Sequence, residues 1–389
     1  MSRPTVEVAD VFRAYWDEYA RRHSVPPSHM KVARDIMRCR TAELGGHIYR
    51  CADCSHIEQS YNSCRNRHCP KCQGSEIARW VDARTEELLP VPYFHTVFTL
   101  PDALNRLVLL NKRAMYELLF QSVRETLLDL GRNNLGVTLG FFAVLHTWGQ
   151  LLQLHPHIHC VIPACGITPS GEVKLFSERY LLPDKVLSAV FRGKFIQGLK
   201  RLYRSQGLKL PDDIPDRDAF ERLLSESCGS DWVVYSKAPF AGPEVVVKYL
   251  ARYTHRVAIG NSRIVSLEGN RVSFTYRDYA DGGARKVTTF SADHFLTRFL
   301  LHVLPKGFVR IRHYGFLSHA KKRLSLAIIR ESLLCGTPLK TVPSNPHSVP
   351  SCPCCGGVRW LKVSELQPVV SRLHSPPSIA SPPQVSYFQ

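Results

Sequence analysis

The chain has 389 residues, 44% of them hydrophobic, and a formal net charge of +18. That length holds two or three domains with cores of their own, and no apolar run is long enough to cross a bilayer. The charge points to a polyanionic partner, nucleic acid before membrane.

Met1-Ser2-Arg3-Pro4 leads straight into a helical stretch without a signal-peptide core, so the expected location is the cytoplasm, in association with the nucleoid. In that reducing compartment, 13 cysteines argue for metal ligands over disulfides. Residues 6–20 set Val8, Val11, Phe12, Tyr15, Trp16 and Tyr19 at helical spacing, and residues 28–38 read as a second helix. A cysteine and histidine cluster follows. Its knuckles Cys51-Ala-Asp-Cys54 and Cys69-Pro-Lys-Cys72, 14 residues apart, predict one tetrahedral zinc. Cys39, His47, Cys64 and His68 could close a second site or could be buried cysteines and surface histidines. Between the knuckles, Tyr61 to His68 places Arg65 and Arg67 on a metal-pinned loop suited to DNA phosphates and bases.

Residues 75–90 read as a helix, His95–Leu100 as a strand, and Pro101 to about Leu130 as one long helix ended by Gly131. Then Phe141–His146 and His155-Pro-His-Ile-His-Cys160 read as strand, turn, strand. Residues two apart on a strand share a face, so His157 and His159 would present their imidazoles together as ligands for a divalent ion. Pro156 is expected to stop that strand from extending backwards, and a lone histidine there would be an ordinary strand residue. His146, Gln150 and His155 are candidates for a third ligand.

A basic helix is predicted over 185–205, a polar insertion over Gly207–Ser230 and a strand over Trp232–Ser236. Gly242-Pro243 opens a helix on which Tyr249 and Tyr253 lie one turn apart, with Lys248 and Arg252 repeating the spacing beside them. Two tyrosines so spaced are more often a core stripe than a catalytic pair. A β-meander is expected over Arg256–Tyr276, with turns at Gly260-Asn261 and Gly269-Asn270 and the next at Asp281-Gly282-Gly283. A helix over 291–304 follows. Val309–Tyr314 alternates, and Arg310 and Arg312 give it a basic-aromatic face suited to unpaired bases. Cys352-Pro-Cys-Cys355 is half a knuckle, with Cys335 and His347 as weak candidates to complete it, and residues 367–389 are Pro- and Ser-rich and predicted disordered. The order of elements gives an α+β class: an antiparallel sheet with helices on one face, His157 and His159 on a central strand of the other, and a small zinc-binding domain ahead of it.

The His-hydrophobic-His strand followed by Tyr-x-x-x-Tyr resembles the HUH endonucleases. It resembles more closely the two-tyrosine rolling-circle transposases of the insertion sequence 91 family. Cys64-Arg-Asn-Arg-His-Cys-Pro-Lys-Cys72, Val144-Leu-His-Thr-Trp-Gly-Gln150, His155–His159, Tyr249-Leu-Ala-Arg-Tyr-Thr-His-Arg256 and Arg310-Ile-Arg-His-Tyr-Gly-Phe-Leu317 carry the likeness in that order. The resemblance implies Tyr249 and Tyr253 as nucleophiles and Mg²⁺ or Mn²⁺ on His157 and His159, with a third protein ligand whose identity varies among such enzymes, His146 being the first of the three candidates; it agrees with Zn²⁺ in the N-terminal domain. It implies nicking and rejoining of single-stranded DNA through a 5′-phosphotyrosine. The sequence holds no phosphate-binding Gly-x-x-x-x-Gly-Lys-Ser/Thr loop, so unwinding would fall to host replication or helicase machinery. The rival readings are a plasmid replication initiator or relaxase of the same chemistry, a zinc hydrolase, and a non-catalytic zinc DNA-binding regulator. The expected domains are 1–90 (helices and zinc), 91–258 (catalytic), 259–345 (β-meander and helical region), 346–366 (knuckle) and 367–389 (tail).

Overall fold

The computed structural model describes residues 6–72, 87–176, 181–229, 232–237, 258–334 and 350–369. The chain divides into two compact units, Met1–Met37 with Arg65–Ser348, and Arg38–Cys64 with Val349–Gln389. In chain order the elements begin with helices α1 (Val8–Arg22) and α2 (Pro27–Arg38), followed by strands β1 (Gly46–Cys51), β2 (Ile57–Tyr61) and β3 (Tyr93–Thr99). Helices α3 (Asn105–Leu110) and α4 (Lys112–Leu130) lead to strands β4 (Thr138–Trp148), β5 (Leu154–Pro163), β6 (Cys165–Ile167) and β7 (Val173–Leu175). Next come α5 (Asp184–Arg204), α6 (Arg217–Cys228) and β8 (Val234–Lys237). The meander is β9 (Ile264–Glu268), β10 (Arg271–Asp278) and β11 (Ala284–Ser291). Helix α7 (Ala292–Leu300), β12 (Ile311–Gly315), α8 (Lys322–Leu334) and β13 (Trp360–Leu366) complete the described chain.

The larger unit is built on an antiparallel sheet in the order β7-β6-β4-β5-β3-β8, with β12 also paired to β4. Alternation along the central strands sorts their side chains onto two faces. Phe94, Phe98, Phe141, Leu145, Ile158 and Ile162 point one way, into a core filled by Leu119, Phe120 and Val123 of α4 and Phe191 and Phe195 of α5. Each such side chain contributes about 1.5–3 kcal/mol on burial, so a one-residue slip, which would turn this whole set to the other face, is strongly disfavoured. Tyr93, Phe142, Val144 and Val161 point the other way, against Phe316, Leu317, Leu326 and Ile329. The histidine-bearing face is therefore covered in part by α8, not free of helices throughout. Beyond the sheet, α1 packs on α7, with the Phe12 and Phe299 rings 5.4 Å apart edge to face. The meander forms its own sheet, order β11-β10-β9.

Three local expectations change. The long helix breaks at Asn111 (φ −129°, ψ 38°). Its side-chain amide donates to the carbonyls of Leu107 and Lys209 and accepts from the Lys209 N–H, the competition with helical backbone that asparagine is suited to. The polar insertion contains α6, capped by Asp216, which accepts from Ala219 N at 2.8 Å, and anchored by buried Ala219, Phe220 and Leu224. Strand β5 runs through Pro156 instead of starting after it. The missing N–H falls where the β4–β5 ladder is irregular, between His146 and Trp148, the kind of place a strand tolerates proline. Most of the helix expected at 75–90, and all of that opened by Gly242-Pro243, lie outside the described residues.

In the smaller unit, β1 is the middle strand of a three-stranded antiparallel sheet, order β13-β1-β2. Cys51 is paired with Trp360, and Gly46 with Tyr61.

Candidate active site and zinc sites

The register of β4 on β5 sets His146 directly opposite His157, and Val144 opposite His159. Opposed residues share a face, so three imidazoles meet at the middle of the sheet. Their ligand nitrogens lie within 4.8 Å of one another. His146 and His159 are buried and His157 is half-buried. Burial, with the neighbouring His155, lowers the His157 pKa to about 3. Burial, then His146, His157 and His95, takes His159 well below its ordinary value. His157 and His159 are thus neutral bases near neutral pH, the form that ligates metal. His157 Nδ1–H donates to the His155 carbonyl at 2.7 Å, which leaves Nε2 as its donor atom. Of the other third-ligand candidates, His155 turns toward Asp102, 3.9 Å away. The Gln150 carboxamide oxygen accepts from Arg277 N at 3.3 Å. The structure gathers only His146 to the pair.

Two further histidines hold this arrangement, and sequence reading passed over both. His95 Nε2 lies 2.8 Å from His159 Nδ1 with the rings stacked. When His159 Nδ1–H donates to it, His159 Nε2 is turned toward the other two rings, the outer-shell hydrogen bond usual for a metal-bound histidine. His95 sits on β3 opposite Val161. Only that register, which no local pattern encodes, would have brought it to mind. His302 accepts from the Thr147 hydroxyl at 3.1 Å and donates to the Leu152 carbonyl at 3.1 Å. It ties the end of β4 to a turn in which Leu152 takes φ +59°.

The residues expected to meet DNA divide. Arg65 is exposed. Arg67 donates to the carbonyls of Phe308 (2.5 Å) and Pro305 (3.0 Å), so it serves a loop. Arg310 is buried, and burial, with Arg67 nearby, lowers its pKa to about 10. Arg312 makes a two-pronged bond to Glu117, at 2.7 and 2.9 Å, and lies over the Phe120 ring, 4.1 Å from its centroid. The register explains this. Arg312 and Tyr314 oppose Ala143 and Phe141, so they lie on the helix-covered face, while Ile311 and His313 share the histidine face. The expected basic-aromatic face is therefore turned away from the histidines. It lines a cavity of about 600 Å³ with Glu117, Gln121 and Arg124. Lys248, Tyr249, Arg252 and Tyr253 lie outside the described residues.

The cysteines group differently from the expectation. Cys51 and Cys54 stand with Cys352 and Cys355, their sulfur atoms within 4.8 Å of one another, and Cys39 stands with Cys64, whose N–H donates to Cys39 Sγ at 3.5 Å. The β1–β2 hairpin is the reason. Its open end joins Arg40 to Asn62 and Asn62 to Gly45 through backbone hydrogen bonds, so Cys39 and Cys64 meet there. Cys51 lies at the far end of β1, about 17 Å away at strand rise. His47 and His68 join neither set. His68 is buried, donates to Asn66 Oδ1 at 3.1 Å and accepts from Leu304 N at 3.2 Å. Cys335 and His347 lie outside the described residues. Among those residues, no helix is long and apolar enough to cross a membrane.

A family profile described as "Putative transposase" matches residues 140–324, and one described as "Transposase zinc-binding domain" matches residues 11–100. "Putative transposase y4qJ" of Sinorhizobium fredii (strain NBRC 101917 / NGR234) is 43% identical over 374 residues, 91% of this chain and 94% of its own. "Transposase for insertion sequence element IS801" of Pseudomonas savastanoi pv. phaseolicola is 28% identical over 327 residues, 83% of this chain and 78% of its own. Among solved structures, a metal-bound conjugative relaxase TrwC in complex with oriT DNA is similar over 41% of this chain and 69% of that one, at 12% identity and a TM-score of 0.22.

Proposed function

Because the chain belongs to the insertion sequence 91 family of transposases, with that family's zinc-binding domain at its N-terminal side, we propose that it nicks and rejoins single-stranded DNA at insertion-sequence ends, driving rolling-circle-type transposition through a 5′-phosphotyrosine intermediate. The observation that carries this reading is the convergence of His146, His157 and His159 at the centre of the sheet. Three converging imidazoles fit a divalent ion, and they would hold Mg²⁺ or Mn²⁺. Such an ion, when bound, offsets negative charge on the scissile phosphate. An all-imidazole set also takes zinc readily, so the ion found on purification need not be the working one.

Tyr249 or Tyr253 supplies the nucleophile. The phenolate oxygen bonds to phosphorus as the P–O3′ bond breaks, and the leaving oxygen takes a proton to become a 3′-hydroxyl. The ester keeps the bond energy, so the reverse attack rejoins a strand without ATP. Two phenols one helical turn apart would let the second accept another strand while the first still holds its own. Lys248 and Arg252 beside them, and Arg65 in the zinc-binding domain, would contact phosphates. Host helicase or replication proteins would open the duplex.

The test is incubation with Mn²⁺ and single-stranded oligonucleotides carrying the element's ends, followed by a denaturing gel and mapping of the modified peptide. Wild-type protein should give a covalent adduct. Tyr249→Phe and Tyr253→Phe should each keep single cleavage but lose full transposition. The double variant should give none, and His157→Ala and His159→Ala should bind DNA without cutting it. An adduct that survives in the double variant would sink the tyrosine mechanism, and cleavage without any adduct would favour a hydrolase.

A further inference from the structure

We propose that Cys51, Cys54, Cys352 and Cys355 form a structural zinc site, a ribbon with one knuckle from the N-terminal part of the chain and the other from its C-terminal part. The two knuckles have the same backbone. Cys51 N donates to His56 O and Cys51 O accepts from Ser55 N, at 2.8 and 3.1 Å. Cys352 N donates to Gly357 O and Cys352 O accepts from Gly356 N, at 2.7 and 2.8 Å. In each the residue four after the first cysteine takes the left-handed region, Ser55 at φ +61° and Gly356 at φ +76°. Cys69-Pro-Lys-Cys72, with its shorter bond from Cys72 N to Cys69 O, does not repeat this pattern within the described residues.

The sulfur geometry fits one ion. Cys51 Sγ and Cys355 Sγ are 3.6 Å apart, as are Cys54 Sγ and Cys352 Sγ. A tetrahedron with zinc–sulfur bonds of about 2.3 Å has edges of about 3.8 Å, whereas a disulfide would need about 2.05 Å. Gly357 N also donates to Cys355 Sγ, at 3.4 Å, as backbone amides do around bound thiolates. The knuckles press close: Ala52 N donates to Arg359 O at 3.0 Å, Asp53 pairs with Arg359, and a Cβ on Gly357 would lie 2.2 Å from Asp53 Oδ2.

The sheet beside this site needs a metal for its stability. All five residues of β2 are exposed, and β13 has no buried residue. Cys39, Cys51 and Cys352 are the hydrophobic residues buried within the described part of this unit. So small an apolar core does not hold three strands together, and metal binding is then the folding energy. Cys352 and Cys355 lie far beyond residue 100, where the matched zinc-binding domain ends. The ribbon therefore closes only once the last part of the chain has been made.

The test uses full-length zinc-loaded protein and timed alkylation read by peptide mass spectrometry. Cys354 and Cys355 are both exposed, so Cys354 is an internal standard. Cys355 should alkylate at least tenfold more slowly than Cys354. On mild chelation Cys51, Cys54, Cys352 and Cys355 should become reactive together as zinc is released. Independently, Cys352→Ser and Cys355→Ser should each lower zinc content by one ion per chain, and Cys354→Ser should not. Cys355 reacting as fast as Cys354 in zinc-loaded protein, or unchanged zinc in Cys352→Ser, overturns the proposal. The alkylation arm uses wild-type protein, so misfolding of a variant cannot decide it.

Discussion

At the scale of single residues, polar side chains set the geometry that the reactive ones need. His95 hydrogen-bonds His159 and so fixes which nitrogen faces His146 and His157. Replacing such an outer partner typically costs ten- to a hundredfold in metal affinity. His95→Ala should therefore weaken Mn²⁺ binding by that factor in calorimetry, and His95→Gln, whose carboxamide oxygen can still accept a hydrogen bond from His159, should recover part of it. An equal affinity in all three proteins would assign His95 to packing alone. The arginines separate in the same way. Arg312 is occupied by Glu117 and the Phe120 ring. Arg312→Ala should lower stability by about 1–2 kcal/mol with little change in DNA affinity at low temperature. Exposed Arg65 should behave oppositely: Arg65→Ala should leave the unfolding midpoint unchanged and lower the salt slope of DNA binding by about one contact.

At the scale of elements, strand register does most of the positioning, and register is what local sequence encodes least. The period of two in His155–His159 and the alternation of Phe141–His146 were legible, and they placed His157 and His159 on one face of a central strand. The helices whose apolar spacing was clean, α1, α2 and α5, were legible to within a few residues. The break at Asn111 depends on Lys209, 98 residues away. The direction of Arg312 depends on its pairing with Ala143. The partner of Cys51 depends on a strand some 300 residues later, paired to β1. None of these had a local signal. The same long-range pairing makes Gly315 indispensable. It takes φ +60°, and a Cβ there would lie 1.6 Å from the Leu139 carbonyl oxygen. Gly315→Ala should cost at least about 1–2 kcal/mol from the left-handed backbone alone and more as β12 lifts from β4, seen as a fall in the thermal midpoint. The turn held by His302 carries a pH dependence. Burial, its largest cause, lowers the folded-state pKa to about 3 from an ordinary 6.5 in the unfolded chain. The unfolded chain therefore binds the extra proton below pH 6.5, and stability falls as pH drops from there toward 3. Between pH 7 and pH 5 this one group accounts for about 2 kcal/mol. His302→Gln, which can still donate to the Leu152 carbonyl, should shrink the pH 7 to pH 5 difference in urea unfolding by about that amount. An undiminished difference would place the titration elsewhere.

At the scale of the whole molecule, the charge of +18 bears on DNA affinity only through those groups that remain open to a strand. Arg67, Arg310 and Arg312 are committed to protein carbonyls, buried positions or Glu117, so the formal count overstates the surface available to phosphates. Counterion release measures the true number. On single strands the logarithm of affinity falls with the logarithm of salt at about 0.7 per phosphate contacted. Six contacts would give a slope near 4, so affinity for an unpaired strand should drop about 300-fold between 50 and 200 mM salt. Fluorescence anisotropy with a labelled single-stranded oligonucleotide gives the slope directly. A slope near zero would mean that the charge surplus is incidental to binding and that affinity comes from base stacking or zinc-module contacts. A slope well above 4 would mean that more than six phosphates are contacted. The slope should not change in Arg312→Ala, because that guanidinium is already neutralised by Glu117. A decrease there would show that DNA displaces the carboxylate and takes the arginine for itself.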